Sequence, residues 1–137
     1  MRPLAVLETA LYADDLDKAE DFYAKVLGLE ILTTVRGRHV FFRCGNSVLL
    51  IFNAKATRIA QPEGSRLPIP AHGATGPGHA CFRASSAEMD RWIERLTGFG
   101  VAIEADFIWP EGGRSIYFRD PAGNSLEFAE PRIWGLE

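Results

Sequence analysis

Three side chains in this sequence have the types and positions to do chemistry together. They are Glu8, His79 and Glu127. Two carboxylates and an imidazole make an oxygen-rich donor set that suits one divalent ion per site (Mn²⁺, Fe²⁺, Zn²⁺, Ni²⁺ or Mg²⁺) over thiolate-loving metals. Three protein ligands also leave coordination positions open for water or substrate, as a catalytic site requires. Singly, each has a plainer reading: Glu8 as a solvated strand residue, His79 as a core or turn histidine. Glu127 is the most suggestive alone, because it stands between Leu126 and Phe128. A carboxylate pointing inward from such a strand has to be paired or metal-bound.

Around this triad, Arg114 and Tyr117 precede the strand of Glu127 and are candidates to bind anionic or oxygenated substrate groups. Arg114 reads equally well as part of an exposed hairpin, and Tyr117 as core. Trp109 and Phe52 can line a pocket or simply pack. Arg36, Arg38 and His39 read as a solvated basic tip, and His72 as solvent-facing. Cys44 and Cys81 lack any metal or disulfide spacing and read as small buried apolar groups. There is no Ser-His-Asp arrangement or phosphate-cradling loop. The Gly-x-Gly at Gly76 to Gly78 precedes a strand and not a helix, so it is no dinucleotide fingerprint.

The elements that must position these groups come in two similar sets. Leu4 to Ala13 reads as a strand with Glu8 at its middle, and Asp14-Asp15 can cap the helix that follows. Leu16, Ala19, Phe22, Tyr23, Val26 and Leu27 recur at helical spacing, and Gly28 stops them. Leu29 to Val35, His39 to Arg43 and Ser47 to Phe52 read as strands separated by Gly37 and by Gly45-Asn46. The rhythm then restarts with a strand at Gly78 to Ala84. Ser85 to Glu88 is a capping-box pattern, and Met89, Trp92, Ile93 and Leu96 line one helix face. Val101 to Trp109, Ser115 to Phe118 and Ser125 to Ala129 supply three more strands.

The chain therefore predicts an α+β fold of two β-α-β-β-β modules, residues 1–54 and 77–131, joined by a proline-rich loop over 55–76 in one domain spanning 1–137. Neither module can bury its sheet alone, so the two should pair. His79 follows Glu8 by 71 residues, close to the offset between the copies. The recurring Gly-Asn-Ser (Gly45-Asn46-Ser47 and Gly123-Asn124-Ser125) makes Leu49 the counterpart of Glu127.

A chain of 137 residues with 47% hydrophobic and 24% charged residues can build a core without disulfides. The net charge of −3 gives no basic footprint for nucleic acid or for a membrane surface. No apolar run reaches the roughly 18 residues of a membrane span, and no leader pattern opens the sequence. The expectation is a cytoplasmic protein acting on a small molecule.

Three stretches resemble the vicinal oxygen chelate superfamily of glyoxalases, bleomycin resistance proteins and extradiol dioxygenases. Leu7 to Leu29 is similar to its opening, a ligand strand followed by a helix with Phe-Tyr and then Leu-Gly. Gly78-His79-Ala80-Cys81-Phe82 resembles the strand carrying a second ligand. Tyr117 to Glu127 resembles the closing motif, a Tyr-Phe, an Asp-Pro-x-Gly-Asn turn and a liganding glutamate. The resemblance implies paired βαβββ modules with mixed sheets curling around a cleft. It also implies a homodimer with the site near the interface, in which ligands can come from both subunits. The implied activity is metal-dependent, through bidentate chelation of a small oxygenated substrate: a lyase, thiol transferase or isomerase, with dioxygenase less favoured. Glu8 stands where many members carry histidine, which weakens the dioxygenase reading. Leu49 stands where glyoxalase I types carry a fourth ligand, so by resemblance the three-ligand pattern is closer to fosfomycin-resistance thiol transferases. The rival expectation is a non-catalytic, small-molecule-sequestering protein of the bleomycin-resistance kind. A degenerate module serving only for dimerisation is a third.

Overall fold

The computed structural model describes residues 1–137, which divide into two compact units, Met1–Gly76 and Pro77–Glu137. Each unit carries one four-stranded mixed sheet. In the first, β1 (Glu8–Tyr12), β2 (Glu30–Val35), β3 (His39–Cys44) and β4 (Ser47–Phe52) lie in the order β1-β4-β3-β2. In the second, β5 (His79–Arg83), β6 (Ala105–Ile108), β7 (Arg114–Arg119) and β8 (Ser125–Ala129) lie in the order β5-β8-β7-β6. In both units the first strand runs parallel to the fourth and the others are antiparallel. The sequence repeat is thus a repeat of topology, two βαβββ modules.

In the first unit Asp15 caps α1 (Leu16–Asp21) by accepting from the Lys18 amide. The helix then widens into a π-helical turn over Phe22–Val26. This turn seats Phe22, Tyr23, Val26 and Leu27 in the core against Val40, Phe42, Leu49 and Ile51, and the rings of Tyr23 and Phe42 lie 5.5 Å apart. Gly28, at φ 72°, supplies the left-handed turn that ends the segment. β1 is shorter than its letters suggest and Glu8 opens it. Its one partner is β4, where Glu8 pairs with Val48. Leu4, Val6 and Leu7 precede that pairing and are exposed.

In the second unit the capping box is complete: Ser85 accepts from the Glu88 amide, and Glu88 accepts from the Ser85 amide. The helix it starts, α3 (Ser86–Gly98), buries Met89 and Leu96, and Trp92 stacks on Phe128 at 4.6 Å. β6 covers only the last part of Val101 to Trp109. The linking region is not structureless throughout. Asn53 caps a short helix, α2 (Ala54–Thr57).

Candidate functional site

Strand parity decides which side chains share a face. In the second unit, Ala80, Phe82, Ile116, Phe118, Leu126 and Phe128 alternate with residues of the opposite face, which carries His79, Cys81, Tyr117 and Glu127. Glu127 sits on the central β8 with Cys81 across from it on one side and Tyr117 on the other. Its side chain is buried, and Oε2 lies 3.3 Å from Nε2 of His79. Oε1 is buried and makes no well-formed hydrogen bond. Leaving such an atom unsatisfied costs about 1–3 kcal/mol, so its presence needs a reason.

His79 faces the other oxygen, Oε2. Its Nδ1 is 2.9 Å from the carbonyl oxygen of Ser125, which can only accept, so Nδ1 carries a proton. In the neutral ring, Nε2 then presents a lone pair towards a carboxylate, two acceptors facing each other. A cation between them resolves the conflict. Two donors about 2.1 Å from a common ion stand about 3.0 Å apart at a right angle and about 3.4 Å apart at a tetrahedral one. The observed 3.3 Å lies within that span. The backbone acceptor behind a metal-binding histidine is also the usual device for fixing its tautomer. The donor set therefore fits a divalent ion.

A turn with two buried polar side chains, Asp120 and Asn124, holds these two residues in place. Asp120 accepts from the amides of Ala122 and Asn124 and from the Asn124 side chain, while Asn124 accepts from the Gly78 amide at 2.7 Å. The turn before β8 is thereby tied to the residue immediately before His79. Desolvation, followed by the charge of Glu127, pushes the Cys81 thiol up to about 12. Desolvation, then the Glu127 carboxylate acting first as hydrogen-bond acceptor and second as a charge, push the Tyr117 phenol up to about 12. Cys81 is exposed and not a buried core group.

Arg114 lies on the other face from Tyr117 and does not reach this site. Its guanidinium makes a two-pronged bond to Asp106 (both 2.8 Å) and a third to Asp90 at 2.7 Å, and it contacts Ser86. With its donors engaged this way it clamps α3 and β6 to β7. Trp109 donates to Ser115 at 2.8 Å. It packs edge-on against Phe107, which in turn stacks on Tyr117 at 5.8 Å. A row of rings thus leads along the sheet towards His79.

Glu8 belongs to the other unit, where it lines a pocket of about 550 Å³. The floor is the sheet face bearing Ala10, Phe41, Leu50 and Phe52, and the strap Ile69 to His72 forms a wall. Phe52 is thus a pocket residue, as well as a buried one. His72 is not solvent-facing: its Nδ1 is 2.6 Å from the Tyr12 hydroxyl and its ring packs on Phe52. His39 and Arg38 are not a free tip either. His39 stacks on Phe41 at 3.9 Å and accepts from Arg38, whose guanidinium lies 5.6 Å from the Phe52 ring centre. No group of three His, Cys, Asp or Glu side chains gathers in metal-holding geometry within the chain.

Register also corrects one equivalence. Glu8 pairs with Val48 as His79 pairs with Ser125, and Ala10 faces Leu50 as Cys81 faces Glu127. The counterpart of Glu127 is therefore Leu50, which lines the pocket, and not Leu49, which faces the helix side. The Gly-Asn-Ser letters mislead because the first hairpin turns in two residues between Cys44 and Ser47, whereas five residues separate Arg119 from Ser125. The strand pairings of β3 with β4 placed His39 beside Phe41 and Phe52. Nothing in the letters placed His72.

The model of the Glyoxalase/Bleomycin resistance protein/Dioxygenase superfamily matches residues 5–128. The chain belongs to this superfamily. It is similar to a crystal structure of lactoylglutathione lyase from Agrobacterium tumefaciens, with 47% identity and a TM-score of 0.93 over 99% of this chain and 100% of that one. A glyoxalase/bleomycin resistance protein/dioxygenase from Nocardioides is 26% identical, with a TM-score of 0.71 over 95% of this chain and 84% of that one. The fosfomycin resistance protein FosX of Listeria monocytogenes is 49% identical over 43 residues, 31% of this chain. That match spans about a third (32%) of the curated relative's own length. No helix is long and apolar enough to cross a membrane.

Proposed function

We propose that this protein is a metal-dependent enzyme of the glyoxalase type, a lyase or isomerase before a thiol transferase, acting on a small oxygenated substrate. The observation that carries the reading is the contact of the buried Glu127 carboxylate, through Oε2, with Nε2 of a histidine whose tautomer is fixed by Ser125. In this reading His79 and Glu127 hold one divalent ion, and Glu8 of a second copy in a homodimer is the third ligand. Such an ion supplies Lewis-acid stabilisation of two adjacent substrate oxygens as negative charge develops on them. The chain's own residues supply the rest. Ser125 orients the imidazole, the Asp120–Asn124 turn sets the spacing of the two ligands, and the Tyr117 hydroxyl offers a hydrogen bond on the same face. The similarity to a lactoylglutathione lyase across the whole chain supports lyase chemistry more than the short match to FosX supports fosfomycin modification.

The test is elemental mass spectrometry on tag-free protein purified without chelator, with Glu127→Gln and Glu8→Gln alongside. About one divalent ion per chain, lost in both variants, is the expected result. Loaded protein would then be assayed for lactoylglutathione lysis and for fosfomycin inactivation. Absence of metal in the parent, together with no thermal stabilisation by added Mn²⁺, Fe²⁺, Zn²⁺ or Ni²⁺, would overturn the proposal and favour the sequestering alternative.

A further inference from the structure

The pocket of the first unit holds more recognition chemistry than a metal ligand needs. Arg43, Arg114, Arg119 and Arg132 each pair with a carboxylate. Arg38 pairs with none. One of its five N–H donors goes to Nδ1 of His39 at 2.9 Å, and the cation lies over the Phe52 ring. Because His39 accepts at Nδ1, its proton sits on Nε2, a second donor among the lining residues. Burial, and then the neighbouring Arg38 charge, keep this ring neutral by lowering its pKa.

The walls beside this cation are flat and apolar. Phe41 stands edge-on to Phe52 at 5.2 Å and carries His39 stacked upon it, while the His72 ring stands edge-on to Phe52 at 4.6 Å. Ile69 and Pro70 of the strap add aliphatic surface. The strap is fixed in place: the His72 amide donates to Thr57, and Gly73 lies so close to Arg58 that a Cβ there would come within 2.8 Å of its side chain. A volume of about 550 Å³ suits a small organic ligand. Glu8 lines the same pocket and would repel an anion placed against it, so a negative head group belongs with Arg38.

We propose that this pocket is a specificity subsite for a flat, conjugated or aromatic molecule with an oxyanion head group, its head on Arg38 and its ring against Phe41 and Phe52. The inference deepens the enzymatic reading by naming a substrate class, and rests on that reading only for the step that follows binding. Guanidinium forks favour oxyanions by charge and by paired donors, and aromatic edges and faces favour a planar body.

The test uses 2-naphthoate and its neutral amide, 2-naphthamide, titrated by naphthalene fluorescence into the full-length protein in chelator. The acid is expected to bind at least about tenfold more tightly than the amide. Arg38→Gln removes that preference without changing the melting temperature, Arg38→Lys retains part of it, and Glu8→Gln binds the acid at least as tightly as the parent. Equal affinity for acid and amide, a preference surviving in Arg38→Gln, loss of acid binding in Glu8→Gln, or no binding of either probe would each overturn the proposal. Because metal is absent from these titrations, their outcome is separate from the metal analysis. Binding without metal content leaves the subsite standing and removes the catalytic reading, and the converse holds equally.

Discussion

Replacing Glu127 with leucine should make the metal-free protein more stable. A carboxylate only 5% exposed, with Oε1 in no well-formed hydrogen bond and Oε2 facing a half-exposed imidazole, is a poor core residue. Leucine is close to it in length and already occupies the corresponding place, Leu50, in the first unit. Removing that poorly bonded oxygen recovers about 1–3 kcal/mol, in line with the neutral-to-stabilising effect of replacing buried ionic groups by packed apolar ones. Taking about 2 kcal/mol, and about 4 °C per kcal/mol for a chain of this size, the melting temperature should rise by about 8 °C in chelator. Adding metal should reverse the order. An ion at a hundred times its dissociation constant stabilises the parent by about 2.7 kcal/mol and the variant not at all. Scanning calorimetry of both proteins, with chelator and with Mn²⁺ or Zn²⁺, reads both arms. A variant less stable than the parent in chelator would show that Glu127 is structurally satisfied. A variant still stabilised by metal would show that the ion binds elsewhere. Either result refutes the reasoning.

Arg114→Gln should cost about 1–2 kcal/mol in urea unfolding at neutral pH while leaving metal content and naphthoate affinity unchanged. Arg114 holds the Asp106 carboxyl below its ordinary value of 3.8, so the pair's stabilisation is full above that value and fades as pH falls through the depressed one. The gap between parent and variant should therefore narrow below about pH 4, and a gap that widens there would exclude the clamp. Asn124→Ala should cost about 2–3 kcal/mol and also weaken metal binding, because it unties Gly78, the residue before His79, from the turn before β8. Isothermal titration with Mn²⁺ or Zn²⁺ on the folded variant reads the second effect, and unchanged affinity would separate the turn from the site.

The parts legible in the sequence were those fixed by local chemistry. Ser85 and Glu88 announced α3 because a capping box closes within four residues, and the second Gly-Asn turn announced β8 because Asp120 and Asn124 satisfy it internally. The repeat related His79 to Glu8; that His79 lies beside Glu127 comes from β5 and β8 being neighbours in one sheet. What escaped depended on partners far away in the chain. Arg114 looked available because Asp106 and Asp90 are not adjacent letters. β1 looked longer than it is because nothing in Leu4 to Val6 says that β4 begins only at Ser47 and leaves them without a partner strand. A one-residue slip named Leu49 in place of Leu50, which matters because neighbouring strand residues face opposite ways. The π-helical turn in α1 preserves the same apolar stripe as an ordinary helix and leaves no separate mark.

The strap has a consequence for how such a pocket changes over generations. Its wall, Ile69 to His72, is anchored at one end by Tyr12, Thr57 and Arg58, while Ile59 to Leu67 is exposed apart from the partly covered Ser65 and packs into neither sheet core. Length and composition can drift in that outer stretch with little thermodynamic cost. Ile69, Pro70 and Ala71 line the pocket and belong to no strand, so substitutions there would change its wall without disturbing a hydrogen-bonded strand. Foldedness and selectivity are thereby encoded in separate stretches of the polypeptide. The module can sample new ligands while its β-sheet stays intact, an inherited scaffold with a replaceable panel.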